Sequence, residues 1–230
     1  MKCLLCVYLA VLIGVAIFVA NGRGQSLQKG ISVQMATSSH AAAMPEADNE
    51  KAWIVTVTTD GSIFFGTELV TADELTGQMK VRPRNRDAKL YIKADAGVPF
   101  YSVRQVLNSA RVLLFDDVVL LTSQPEASQT GAIVPPKGLG VWIGSEVGSN
   151  FAAVQIGSHE NSSTVKVNNE PIAASGLQGK MAKLFDSRSG ARIVILKADD
   201  RVPYSQVVHA VDACNGAGAS RVTIEVASEI

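Results

Sequence analysis

Lys197-Ala198-Asp199-Asp200-Arg201-Val202-Pro203-Tyr204 decides how this chain is read, because its pattern occurs once before, at Lys93-Ala94-Asp95-Ala96-Gly97-Val98-Pro99-Phe100. Each copy follows an apolar, strand-like run and precedes an amphipathic, helix-like one. The phrase therefore predicts the strand-to-helix corner of a unit present in tandem. Around the first copy, Trp53-Ile54-Val55-Thr56-Val57 and Ile63-Phe64-Phe65 flank an Asp60-Gly61 turn signal, which predicts a hairpin. Thr71-Ala72-Asp73-Glu74 reads as a capping box opening a helix through Leu75 and Met79, and Leu90-Tyr91-Ile92 as the next strand. Phe100, Val103, Leu107 and Ala110 then fall at helical spacing, and Val118-Val119-Leu120-Leu121 closes the unit as a strand.

The second unit repeats the order. Residues 151–156 and 164–167 are strand-like, Ser175-Gly176-Leu177-Gln178 reads as a second capping box, and Ile193-Val194-Ile195-Leu196 is apolar enough to be central in its sheet, with Ile195 filling core. Tyr204, Val207, Val208, Val211 and Cys214 make one helix face, stopped by Asn215-Gly216-Ala217-Gly218. Val222, Ile224 and Val226 alternate with polar residues as a half-exposed strand. The fold class expected is α/β, an α+β sandwich. Two similar β-β-α-β-α-β domains each carry two helices on one face of a mixed sheet.

The front of the chain differs in kind. Residues 3–20 carry no charge and, as a helix, would measure about 27 Å, enough to cross most of a hydrocarbon core. An uncleaved membrane anchor is the preferred reading, and a signal peptide cut at the small-x-small site Ala20-Asn21-Gly22 is the competing one. The layout expected is an anchor or signal peptide over 1–22, a flexible tether over 23–50, a first domain over 51–124, a Pro/Gly-containing linker over 125–140 and a second domain over 141–230.

Composition excludes several classes. Lys plus Arg number 21 and Asp plus Glu number 21, so no basic footprint for nucleic acid exists. Cys3 and Cys6 lie in the apolar run, which leaves Cys214 alone in the globular part, read as a small apolar residue on a buried helix face. His40, His159 and His209 stand in the tether, a turn and a helix, and none pairs with a Cys or carboxylate at metal-ligand spacing. With no G-x-S-x-G, P-loop or dinucleotide fingerprint, no enzyme, cofactor or metal is expected. Asp95 and Asp199 have two readings. One is structural: a carboxylate after a strand accepts N–H bonds in the turn, and Pro99 or Pro203 opens the helix at its first position. The other is a partner-binding set, Asp95, Asp199, Pro99, Pro203 and Tyr204, at the carboxyl edge of the sheet.

The second unit resembles the ExbD/TolR biopolymer-transport family through Val165, Val167, Asn168, Leu177, Lys197, Ala198, Asp199, Val202, Pro203, Tyr204, Val207, Val208, Asp212, Ala217 and Gly218. The first unit matches more loosely, through Asp60-Gly61, Lys93-Ala94-Asp95 and Val98-Pro99. The resemblance implies a single-pass protein of a bacterial inner membrane with its C-terminal domains in the periplasm. It implies an ExbB/TolQ-like channel subunit and a TonB/TolA-like protein as partners, and a homodimer of the membrane helix. The family's proton carrier is an Asp in that helix, whereas the only polar side chains in residues 3–20 are the cysteines and Tyr8. The function implied is therefore an accessory or divergent subunit of a proton-motive-force-driven complex. The alternative is an exported protein-binding or cell-wall-binding module without a channel partner.

Overall fold

The structure, a computed structural model, describes residues 31–85, 87–115, 117–123, 135–144, 151–159, 162–187 and 190–226. The apolar run over 3–20 and its cleavage site, the start of the tether and most of the linker lie outside these residues.

Strand β1 (Ala42–Ala43) precedes the first unit, which runs β2 (Trp53–Val57), β3 (Ile63–Phe65), β4 (Glu68–Val70), α1 (Ala72–Val81), β5 (Leu90–Ala94), α2 (Phe100–Val112) and β6 (Val118–Thr122). After β7 (Lys137–Gly144), the second unit runs β8 (Ala152–His159), β9 (Ser162–Val167), β10 (Glu170–Ile172), α3 (Leu177–Asp186), β11 (Ile193–Ala198), α4 (Tyr204–Gly216) and β12 (Arg221–Glu225). The fold is α+β with a mixed sheet, as the periodicities predict.

Each unit has one strand more than expected. β4 and β10 fold straight back on the preceding strands through tight turns, which need left-handed backbone at Gly66 (φ 65°) in one copy and at Asn168 (φ 49°) and Asn169 (φ 70°) in the other. Three-residue strands are too short for alternation to declare them.

The two expected domains share one sheet. Among the described residues its order is β10-β9-β8-β11-β12-β7-β6-β5-β2-β3-β4, with β1 added to β7. β7 is the joint: residues 137–141 pair antiparallel with β6, and residues 142–144 pair parallel with β12. The linker expected over 125–140 is thus strand from Lys137 onward. Gly138 makes the crowded half possible, since a Cβ there would lie 2.4 Å from Val119 Cγ1.

Alternation along the strands sorts side chains onto two faces. Val55, Leu90, Ile92, Leu120, Leu139, Val194, Leu196 and Ile224 join Leu75, Met79, Leu107, Met181, Val207 and Val211 in one core that contains residues of all four helices. The helices therefore share one face. On the opposite face of the first unit, Ile54, Tyr91, Val119 and Leu121 form a second, smaller cluster with Ala47, against which Met35, Met44 and Ala52 pack. The tether expected over 23–50 is consequently folded from residue 31 on, with Ala36 and Ala47 buried. Ile195 is buried, as expected, at 7% exposed, but it stands outside the main cluster, on the face away from the helices, whereas Val194 and Leu196 enter that cluster.

The capping boxes part company. Thr71 Oγ1 accepts from the Glu74 N–H at 3.2 Å, and Glu74 Oε2 accepts from the Thr71 N–H at 2.8 Å. The Thr71 N–H and the Thr71 hydroxyl (2.9 Å), both donating to this carboxylate, hold it below its ordinary pKa. Ser175 instead sits in a short 3-10 helix over Ala174–Gly176, and α3 starts behind Gly176 with no side-chain cap. Thr71→Ala should therefore cost about 1 kcal/mol in urea denaturation, while Ser175→Ala should be near neutral.

Candidate functional site: the paired corners

Both corners are built alike. The Asp95 N–H donates to the Val57 carbonyl and the Asp199 N–H to the Ile156 carbonyl, each at 2.9 Å, which extends β5 and β11 by one residue. The chain then turns, with Val98 N–H on the Asp95 carbonyl (3.3 Å) and Val202 N–H on the Asp199 carbonyl (3.1 Å). Pro99 and Pro203 (φ −58° and −57°) stand as the residues capping α2 and α4, one position earlier than expected.

The two corners then pair with each other. Phe100 N–H donates to Val202 C=O and Tyr204 N–H to Val98 C=O, both at 2.8 Å. Tyr101 N–H donates to Asp200 C=O (3.0 Å) and Ser205 N–H to Ala96 C=O (2.9 Å). Each bond has a mate at an offset of 104 residues, which is the reciprocity of an isologous interface, here inside one chain. Pro99 and Pro203 face each other in the antiparallel bridge between those bonds. That is the position whose N–H groups point away from the partner, so two prolines sit there at no cost in hydrogen bonds. Across the junction the Arg104 guanidinium meets the Asp200 carboxylate at 2.8 Å. The equivalent positions are Val208 and Ala96, so this ion pair has no mirror image.

Tyr204 and Phe100 are both fully buried at the helix starts. The Tyr204 hydroxyl finds no hydrogen-bond partner among the described residues, and burial pushes its ionisation upward. Its counterpart Phe100 has no such group to satisfy. Tyr204→Phe should therefore raise the unfolding free energy by about 1 kcal/mol, read as a higher urea midpoint. An unchanged or lower midpoint would mean that the hydroxyl is satisfied in solution.

The two aspartates have separate surroundings. Asp95 is 9% exposed and accepts from the Gly97 N–H (3.0 Å) and the Gln34 N–H (3.3 Å). Burial pulls its pKa up, but these bonds and one from the Thr59 hydroxyl outweigh it and hold the carboxyl below its ordinary value. A depressed carboxylate pKa adds stability above the ordinary value, and that share is lost as pH falls through about 4 toward the folded value. Asp95→Asn should accordingly flatten the acid limb of a pH–stability curve. Asp199 is exposed, with its Oδ2 accepting from the Ser158 N–H at 3.2 Å. Cys214 is buried, and burial pushes its thiol up to about 12, which suits the small apolar residue expected of it.

Two copies of one corner, joined back to back, raise the question of which family builds such a unit. The family model described as biopolymer transport protein ExbD/TolR matches twice, over residues 7–125 and 124–229. The chain belongs to the ExbD/TolR family. No curated protein and no solved structure matches this chain. The boundary between the matches falls just after β6, so each covers one of the two units described above.

In this ExbD/TolR chain the structure gathers Pro99, Pro203 and Tyr204 into one junction, with Tyr204 interior and Pro99 on its surface. Asp95 lies within the fold and Asp199 at an open edge. Sequence reasoning missed the strap of residues 31–43 that clamps this arrangement. Gln34 binds Asp95, its carbonyl accepts from the Ala96 N–H at 2.7 Å, and the Ser123 N–H reaches Ala36 C=O at 2.9 Å. Farther on, Asp212 on α4 accepts from the Ser39 N–H (3.0 Å) and the His40 N–H (2.8 Å), tying the strap to the second unit. The available signal was the alternation of Ile31, Val33 and Met35 with Ser32 and Gln34. Among the described residues no helix is long and apolar enough to cross a membrane.

Proposed function

We propose that this ExbD/TolR protein is a membrane-anchored, accessory or divergent subunit of a proton-motive-force-driven transport complex, with its two joined units in the periplasm. The observation that carries the reading is the double family match, whose first member begins at residue 7, inside the apolar run of residues 3–20. An ExbB/TolQ-like channel subunit and a TonB/TolA-like protein are the partners that the family suggests. The accessory role follows from chemistry: no carboxylate lies in residues 3–20, so this run has no group to cycle a proton at ordinary pH. Copurification from detergent-solubilised membranes tests the reading, with a polytopic channel-type subunit expected to be retained. Its absence would sink the proposal.

The tripeptide Ala20-Asn21-Gly22 favours a second reading, an exported binding module released from the membrane. N-terminal sequencing of the mature protein decides between them, since a start at Arg23 removes the anchor.

A further inference from the structure

We propose that the Asp199 corner is a docking site for an extended, acidic peptide segment. The first corner supplies the template, because it already holds an extended segment, the chain's own strap, there without charge. There an extended backbone gives one N–H, from Gln34, to the Asp95 carboxylate and takes one N–H, from Ala96, on the Gln34 carbonyl. At the second corner the matching groups are the Asp199 carboxylate, which is exposed, and the Asp200 N–H, from which no carbonyl accepts among the described residues. Lys93 is half-buried, whereas the matching Lys197 is exposed and meets Glu225 of β12, at 3.2 Å, as its one ion-pair partner among the described residues.

A cavity of about 260 Å³ lies against Asp199, lined by Gln155, Gly157, Thr164, Lys166 and Lys197. Gly157 keeps it open toward the carboxylate, since a Cβ there would meet Thr164 Oγ1 at 2.9 Å and Asp199 Oδ2 at 3.5 Å.

The chemistry of the occupant follows from where the copies differ. The sheet registers place Lys166 and Gln155 where the first unit has Phe64 and Thr56. The strap carries uncharged residues across the first corner. A segment at the second would meet two ammonium groups, one of them unpaired among the described residues. An acidic side chain one residue before the docked one satisfies that charge, while its backbone repeats the Gln34 contacts. The inference needs neither a membrane anchor nor a channel partner, so its test is separate from the copurification above.

The test uses the full chain in detergent and two fluorescein-labelled peptides. One has the strap sequence Ile-Ser-Val-Gln-Met-Ala-Thr, and the other carries Glu in place of its Val. Anisotropy titration should show saturable binding, tighter for the acidic peptide. Asp199→Ala should weaken it about tenfold or more, the loss expected for one charge-assisted hydrogen bond, while Asp95→Asn should leave it unchanged. Lys166→Glu, on an exposed strand position, should reverse the preference between the peptides and covers the case in which Asp199→Ala fails to fold. No saturable binding to the wild-type chain, equal losses from Asp95→Asn and Asp199→Ala, or an unreversed preference in Lys166→Glu would each overturn the proposal.

Discussion

Phe100→Ala should lower the unfolding free energy by about 3–5 kcal/mol, the range for emptying a fully enclosed aromatic site. Phe100 is 0% exposed and sits where α2 begins, against the other corner. Alanine keeps the backbone N–H that donates to Val202, so the pairing bonds survive and the loss measures packing. The shape of the transition is as informative as its midpoint. One sheet runs through β7, and one core contains residues of all four helices, so urea should unfold both units together. A single transition, moved as a whole by Phe100→Ala, is the expected outcome. Two transitions, of which only one moved, would show that the units are energetically separate despite their shared sheet.

The second large effect distinguishes the faces of β11. Leu196→Ala should cost about 3–5 kcal/mol, because Leu196 is fully buried between the sheet and the helices and its loss leaves an enclosed void. Ile195→Ala removes a similar volume from the opposite face, where Ile195 is buried but stands outside both apolar clusters of the described residues. It should forfeit only the transfer free energy, about 2 kcal/mol or less. Equal urea midpoints for the two variants would contradict the assignment of faces. Apolar character alone could not make that distinction: a strand as uniformly apolar as Ile193–Leu196 hides its own alternation.

The same contrast explains what else could be read from the residues. The repeated Lys-Ala-Asp-x-x-Val-Pro phrase declares a strand–helix corner because proline and the change of period are side-chain signals. Thr71 and Glu74 declare a cap for the same reason. That Pro99 lies against Pro203 rests on four backbone hydrogen bonds, and backbone groups leave no trace in a sequence. Ser175 shows the reverse failure, a motif with the right letters whose backbone turned into a 3-10 helix first. The strap resembled a linker because Ser, Thr and Ala make up most of residues 32–43. Its alternation is short, and the partners that fix it, Asp95 and Asp212, lie 61 and about 170 residues away. At Asp199 the carboxylate was identifiable, but its exposure was not. That depends on whether another segment crosses the corner.

Dilution has little purchase on the contact between the corners. Two separate chains meeting through four backbone bonds and one ion pair would part at low concentration. Here a covalent connection holds the halves at an effective concentration on the order of millimolar, whatever the number of molecules present. Covalent linkage also removes the constraint that identical partners impose, under which every substitution appears on both sides at once. Arg104 could acquire its ion pair with Asp200 without placing a second guanidinium at Val208, and one aspartate could be enclosed while its twin stayed open. A symmetric pair of separate chains can present only the same surface twice, whereas this chain can assign its two halves different work.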